Sequence, residues 1–393
     1  MSPNPLILEL MIRLLSVIGA RPQIIKAAAL SRTIAGEFAG KVSEIILHTG
    51  QHYDDSMSDV FFREMQIPEP AYNLDIGSSS HGMQTGMMIQ GIEEVILKER
   101  PDGVMVYGDT NSTLAGALAA AKLHVPVIHI EAGLRSFNKQ MPEEINRITC
   151  DHVSTLLFSP TQTGIVNLAR EGIEHSEKEP YTFDNQGVFH SGDVMYDNTL
   201  RFREAAEKNS AVLRDLALED CAFILATIHR PSNTDVAGNL KNILGALDGI
   251  AHAHGIPVVL PLHPRTVAMI EKLESQQLFR RDALSDRVKL IPAVSFLDMI
   301  KLEAGAVLIL TDSGGVQKEA WFMEKPVVVL REETEWVEII QSGNGRLAGT
   351  SAERIREAAG HFLKFPPKSF PPIFGNGNAA REILQVLTTT RWE

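Results

Sequence analysis

Three acidic residues stand where short apolar runs give way to polar turns, and each is a candidate for moving a proton. Asp109 sits in Tyr107-Gly108-Asp109-Thr110-Asn111-Ser112-Thr113, directly ahead of an alanine-rich stretch. Glu131 closes the apolar run of His129-Ile130-Glu131-Ala132-Gly133-Leu134-Arg135, and Glu143 opens Met141-Pro142-Glu143-Glu144-Ile145-Asn146-Arg147. Each also has a plain structural reading. Asp109 caps the following helix, Glu131 pairs with Arg135, and Glu143 pairs with Arg147 at i,i+4, a surface bond worth about a few tenths of a kcal/mol. Converging on one site, the three would raise one another's pKa, the usual device for acid–base work at neutral pH.

Cations and small residues at other run ends point to an anion. In GARPQIIK (19–26), Pro22 suits the first turn of a helix, so Arg21 and Lys26 reach toward an N-terminus whose backbone N–H groups attract negative charge. A solvated helix start is the bland alternative, and the spacing is not the GxGxxG of a nicotinamide site. His229 in Thr227-Ile228-His229-Arg230-Pro231-Ser232-Asn233 and His263 in Pro261-Leu262-His263-Pro264-Arg265 form an anion site able to deliver a proton. The strongest local signal is TDSGGVQKEA (311–320). Ser313, Gly314 and Gly315 let backbone N–H groups approach a diphosphate, and Glu319 is placed to accept from ribose hydroxyls; a packing turn is the alternative. Arg331, at the end of the next apolar run, adds a charge-assisted contact to the pyrophosphate.

Short apolar runs alternating with helical stretches predict βαβ units and parallel sheets buried on both faces. The first half is predicted to hold strands at 14–18, 45–49, 104–107, 127–131 and 155–158. The second half holds 188–190, 223–227, 258–262, 288–291, 307–311 and 327–330. Helices are predicted at 115–123, 236–252 and 379–387. The expected fold class is therefore α/β, two Rossmann-like doubly wound lobes facing a central cleft, with polar strand ends as the ligand sites. The charged stretch 174–187 sets the boundary between lobes 1–187 and 188–375, and the proline- and glycine-rich 366–377 returns the chain, so that the helix of 376–393 completes the first lobe.

Composition narrows the function classes. The 393 residues carry 37 Lys+Arg against 49 Asp+Glu, a net charge of -12, which disfavours a nucleic-acid partner, so a bound phosphate must be held locally. Two cysteines, Cys150 and Cys221, are too few for a disulfide scaffold or a multi-cysteine metal site and suit a cytoplasmic protein. The run 5–18 is interrupted by Glu9 and Arg13 and is followed by no small-residue cleavage site. It reads as a first strand with residues 1–10 an extension, Met11 being an alternative start, rather than as a signal peptide. No segment reaches the roughly 18 uncharged apolar residues of a membrane span.

Taken in order, GARPQIIK, YGDTNST, HIEAGLRS, MPEEINR, IHR, LPLHPRT, TDSGGVQKEA and REETE resemble the non-hydrolysing UDP-N-acetylglucosamine 2-epimerase family over nearly the whole chain. The resemblance implies the glycosyltransferase-B fold, inversion of C2 of a UDP-linked 2-acetamido sugar through a glycal intermediate, no metal or redox cofactor, and a homodimer. It implies acid–base roles for Asp109, Glu131 and Glu143, with Arg147 and His229 near the reacting centre. Arg21, Lys26, His229, His263, Ser313, Gly314, Gly315, Glu319 and Arg331 match UDP-sugar contacts, and Phe296 and Met299 lie in the segment that flanks the uracil. Gln23 replaces the usual Glu, Trp336-Val337 the usual Arg-Pro, and residues 229–233 the usual HRxEN. RPQ-IK, HTGQH, GLRSFN and TEWVE look closer to the branch acting on UDP-2,3-diacetamido-2,3-dideoxyglucuronate. The segment 51–56 departs from members with a regulatory UDP-GlcNAc site, so allosteric activation is not carried over. A glycosyltransferase of the same fold is the alternative; the three carboxylates favour epimerisation over it, and over a non-catalytic sensor.

Overall fold

The first strand shows why this chain builds parallel sheets. In β1 (Ile12–Ile18), Leu14, Leu15, Val17 and Ile18 are all fully buried, so apolar residues run continuously instead of alternating, as a strand covered on both faces requires. The computed structural model describes residues 11–51 and 67–393. The 1–10 extension and positions 52–56 lie outside the described residues.

β1 is joined by β2 (Val42–His48), β3 (Tyr72–Asn73), β4 (Gly103–Tyr107), β5 (Val127–Ile130), β6 (Leu156–Ser159) and β7 (Gly187–His190), all parallel, in the order β3-β2-β1-β4-β5-β6-β7. A second parallel sheet holds β8 (Ile224–Thr227), β9 (Val258–Pro261), β10 (Val288–Ile291), β11 (Leu308–Thr311), β12 (Val327–Val329) and β13 (Gly345–Leu347), in the order β10-β9-β8-β11-β12-β13. In each sheet the chain builds outward on one side and then crosses back to build on the other. The order reverses between β1 and β4 and between β8 and β11, the places where open α/β sheets bind ligands beyond the strand ends. The class is α/β with two Rossmann-like doubly wound units.

Packing brings helix starts to those points. Leu15, Val17, Val104 and Val106 form one core with the alanines of the helix Asn111–Lys122. A Cβ on Gly116 would stand 2.8 Å from Val106, so glycine lets this helix lie close on β4. In the second sheet, Ile224, Ala226, Leu308 and Leu310 pack against Leu240, Leu244 and Leu247 of the helix Ala237–His254.

The chain divides into one unit of Met1–Asn198 with Ile373–Glu393 and another of Thr199–Pro372. The expected 187/188 boundary is displaced because the strand predicted at 188–190 as the second half's first belongs to the first sheet. Gly187–His190 pairs with β6, and Phe189 stacks on Phe158 with ring centroids 5.3 Å apart. A short apolar strand carries no mark of the sheet it will join. The change of unit falls instead within the helix Val194–Asn209. β3 and β13 were not predicted, being two and three residues long and without an apolar run. The last helix, Ala379–Thr389, packs on Arg21–Ala35 within the first unit.

Candidate active site

The turn after β1 is built on Gln23, whose side chain is almost wholly buried. Its Oε1 accepts from the N–H of Gly19 (2.9 Å) and Ala20 (3.1 Å), while Nε2 donates to the Tyr107 carbonyl and to Thr113 Oγ1, both at 3.0 Å. One amide thus ties the end of β1 to the end of β4. An amide can accept and donate at once, so the residue replacing the family's usual Glu satisfies both turns. The helix Arg21–Ala35 starts here with Pro22 in its first turn and Arg21 exposed at its tip.

One turn on, Lys26 is buried and its Nζ lies 2.6 Å from Oε1 of Glu131. Glu131 follows β5 with φ of +74°, a left-handed conformation that a non-glycine residue holds at a cost of about 1–3 kcal/mol. Gly108, φ +64°, sits beneath this pair, and a Cβ there would come within 2.9 Å of the Lys26 Nζ and 3.4 Å of Glu131 Oε1. Glycine is needed at this turn on both counts. Arg135 is occupied elsewhere, with Asp151 and Glu171, so the expected Glu131–Arg135 pair does not form.

Asp109 does not cap the next helix. Thr110 does, its hydroxyl accepting from the Thr113 N–H, and Asp109 is left to receive Arg147 Nη2 at 2.5 Å. Nη1 of Arg147 goes to Glu144 at 3.0 Å, not to Glu143. Glu144, fully buried, also accepts from the Ser136 N–H, the Ser136 hydroxyl and the Phe137 N–H, so it fixes the loop after β5. Glu143 is exposed on the first turn of the helix Pro142–His152. The first unit therefore presents two carboxylates each beside a cation, Asp109 with Arg147 and Glu131 with Lys26. Asn146 supports the arrangement by donating to the Asp109 carbonyl at 2.9 Å. Sequence reasoning missed Glu144 and Asn146: Glu144 lies at i,i+3 to Arg147, but Glu143 at i,i+4 competes for it, and nothing in MPEEINR marks Asn146.

In the second unit the turns after β8 and β11 meet on Asp312, which is fully buried. Its carboxylate accepts from the backbone N–H of His229 (3.1 Å) and Arg230 (3.0 Å) and from Asn233 Nδ2 (3.0 Å), and lies 3.2 Å from His229 Nδ1. Burial pushes Asp312 up, but the bond and charge of His229 with the two backbone N–H groups outweigh it and hold it below the usual value. His229 is thereby aimed, with the His263 ring 5.9 Å away between centroids. Partial burial, then the charges of His229 and Arg265, push His263 below the ordinary histidine value.

Ser313 caps the helix Gly314–Phe322, its hydroxyl accepting from the Val316 N–H, and Gly314 and Gly315 supply the free first turn on which an anion can dock. Trp336 braces this turn by donating from Nε1 to the Gly314 carbonyl at 3.0 Å, under the Lys318 ammonium at 4.4 Å from the ring. Glu319 follows on the same helix. Beside it is Glu303, fully buried, which burial, the Glu319 charge and a hydrogen bond with Glu319 push well above the usual carboxylate range. Arg331 is clasped by both oxygens of Glu335 at 3.0 Å, which orients its guanidinium and leaves three of its five N–H donors outside those two bonds. Phe296 and Met299 lie on the helix Phe296–Gly305, Phe296 packed edge-on against Phe202. A cavity of about 490 Å³ opens beside the preceding segment, lined by Val212, Leu216, Ile291, Pro292, Val294 and Asp298 but by neither Phe296 nor Met299. Among the described residues no three His, Cys, Asp or Glu side chains gather as a metal site, and no helix is long and apolar enough to cross a membrane.

Residues 37–388 match the family profile of UDP-N-acetylglucosamine 2-epimerase. The chain is 48% identical to the UDP-2,3-diacetamido-2,3-dideoxy-D-glucuronate 2-epimerase of Pseudomonas aeruginosa, over 95% of this chain and 99% of that protein. It is equally 48% identical to a UDP-N-acetylglucosamine 2-epimerase homolog of Methanococcus maripaludis, with the same coverage. Among solved structures, that of Methanocaldococcus jannaschii UDP-GlcNAc 2-epimerase in complex with UDP-GlcNAc and UDP is 40% identical, with a TM-score of 0.81 over 96% of this chain and 99% of that one.

Proposed function

Because this chain belongs to the UDP-N-acetylglucosamine 2-epimerase family, we propose that it inverts C2 of a UDP-linked 2-acetamido sugar without hydrolysing it. One observation carries the reading: Asp109·Arg147 and Glu131·Lys26 flank Gly108 at the point where the first sheet reverses its strand order. A transferase needs one base; inversion at carbon needs a group to take the C2 proton and a source of a proton for the other face.

In this reading the second unit takes the nucleotide. The first turn of Gly314–Phe322 holds the diphosphate, Glu319 the ribose, and the segment that includes Phe296 and Met299 flanks the uracil. A carboxylate removes the C2 proton, the C1–O bond breaks with its electron pair leaving on UDP, and C1 and C2 become doubly bonded. The 2-acetamidoglycal is then protonated at C2 from the opposite face while the UDP oxygen re-forms its bond to C1. The second proton comes from an acid on the other face, the first passes from its carboxylate to solvent, and so protons balance, C2 exchanges with solvent, and nothing is oxidised or reduced. Arg21, His229 and His263 offset the charge that develops on the departing diphosphate. Glu143, at the exposed start of its helix, is the third carboxylate of the set.

For the sugar we propose UDP-2,3-diacetamido-2,3-dideoxyglucuronate. Support comes from RPQ-IK, HTGQH, GLRSFN and TEWVE; the 48% identity to the Pseudomonas enzyme is equalled by that to the Methanococcus UDP-N-acetylglucosamine 2-epimerase homolog, so the motifs carry the choice. The working form is proposed as a cytoplasmic homodimer. The two cysteines, both free, suit a reducing compartment, and sedimentation of the purified protein tests the dimer. The deciding experiment is proton NMR in D2O with UDP-GlcNAc, its C6 uronate and the 2,3-diacetamido uronate. Deuterium at C2 with a manno product establishes the reaction, and relative rates identify the sugar. An unchanged C2 proton with all three overturns it.

A further inference from the structure

His129 is fully buried in β5, two residues before Glu131, and both ring nitrogens are engaged. Nδ1 lies 2.7 Å from Asp151 Oδ1 and Nε2 lies 2.8 Å from the Gly108 carbonyl oxygen. Asp151, equally buried, receives Arg135 Nη1 at 2.7 Å and the Gly133 N–H at 3.2 Å on its other oxygen, and Arg135 goes on to Glu171. A carbonyl oxygen only accepts, and a carboxylate that already takes a guanidinium and an amide N–H is anionic and also only accepts. A neutral imidazole has one N–H. It would leave a lone pair facing either the carbonyl or the carboxylate at hydrogen-bond distance, in a place no water reaches.

We infer that His129 is a doubly protonated imidazolium that positions the Gly108–Asp109 turn, a positioning residue for the carboxylates on either side of it. The chemistry it serves rests on the epimerase reading; the ring's charge does not. Gly108 is the point at which the turn is held. Its N–H is held by the Ile130 carbonyl at 2.9 Å, its own carbonyl by His129, and the next carbonyl, that of Asp109, by Asn146. With three backbone groups of this turn pinned, the left-handed conformation at Gly108 is fixed, and with it the directions of Asp109 and of the Lys26·Glu131 pair that lies over Gly108. A misplacement of about 1 Å at such a point costs roughly 100-fold in rate. The titratable and charged groups around the ring are Cys150 and Asp151 on the helix Pro142–His152, Arg135 and Glu171 beyond Asp151, and Lys26 and Glu131 across Gly108. Burial works against the charged ring, but Cys150 and Asp151 outweigh it and hold the ring well above the ordinary histidine value.

The test uses the full chain with isotopically labelled histidine, the His129 signal being identified by its loss in His129→Gln. The expected result is one ring with both nitrogens protonated and unchanged between about pH 6 and 9. A ring with one bare nitrogen at neutral pH overturns the inference. In turnover assays, His129→Gln is expected to lower kcat by about 100-fold with UDP affinity within about threefold; an unchanged kcat removes the positioning role. Should that variant fold poorly, His129→Gln with Asp151→Asn gives the buried site an amide pair without charge. Recovered stability with kcat still low supports the inference, and recovery of both reduces His129 to a structural part and overturns it. If the wild-type chain epimerises none of the UDP-sugars, the proposed function fails while the NMR result still decides the charge.

Discussion

The residues that carry the proposed chemistry are held in ion pairs before any substrate arrives, and this shapes what their replacement does. Asp109 and Glu131 each face one cation, Arg147 and Lys26, so an amide in either place keeps the volume and one acceptor but removes the base. Asp109→Asn or Glu131→Gln is expected to abolish turnover while UDP affinity, by calorimetry, stays within about tenfold. Arg21→Ala or Ser313→Ala is expected to do the reverse, weakening UDP-sugar binding with a smaller loss in kcat. An active carboxylate variant would remove the assignment. Choosing among neighbouring carboxylates was beyond sequence reasoning. Glu143 and Glu144 are both within reach of Arg147, at i,i+4 and i,i+3, and only the loop amides of Ser136 and Phe137 select Glu144 for burial. Thr110 displaced Asp109 as the cap for a similar reason: both types cap well, and the turn at Gly108 decides which one faces the helix.

Helices and turns are fastened to the site by a few backbone features that can be tested apart from catalysis. Gly133 has φ of +81°, and a Cβ there would stand 2.5 Å from the Gly164 carbonyl oxygen. Gly133→Ala is expected to destabilise the protein by about 2 kcal/mol or more, read from urea unfolding. Asp197 accepts from the Ala379 and Ala380 N–H groups, holding the start of the last helix, whose own N-cap Asn378 makes no side-chain cap bond. Burial pushes its carboxyl up to about 6, against those two hydrogen bonds and with help from the charge of Asp193. An acid raised in the fold binds its proton more tightly there than in the unfolded chain. The stability it contributes is complete below the ordinary value near 3.8 and is lost as pH rises through about 6. Asp197→Asn never charges, so unfolding curves at about pH 4 and 7 should show the variant gaining on wild type by on the order of 2 kcal/mol. The helices Asn111–Lys122, Ala237–His254 and Ala379–Thr389 were legible to within four residues at each end, because alanine, leucine and apolar spacing mark them. Tyr72–Asn73 and Gly345–Leu347 were not, because a strand of two or three residues exists only by pairing with its neighbour.

At the scale of the molecule, two sheets reverse their strand order in the same way, and in the proposed function each reversal collects the side chains of one chemical task. A ligand that binds only the folded chain adds stability by mass action, about 2.7 kcal/mol at a hundred times its Kd. UDP at that concentration should raise the unfolding midpoint and slow amide exchange at 313–319, and the same concentration should do less for Ser313→Ala. No shift with UDP would remove the nucleotide assignment. Alternation of apolar runs with helical stretches, the turn residues after each run, and the motifs from GARPQIIK to REETE were enough to identify the α/β units and the family, and to single out the residues proposed for the site. These are properties of adjacent residues, and local physics writes them into the chain. Which sheet Gly187–His190 joins, where the units divide, and how Arg147, Glu144, Arg331 and His129 are partnered were decided only by the tertiary structure. Those outcomes depend on groups brought together from positions far apart in the sequence, where burial removes water and each polar atom must take whichever partner the packing supplies.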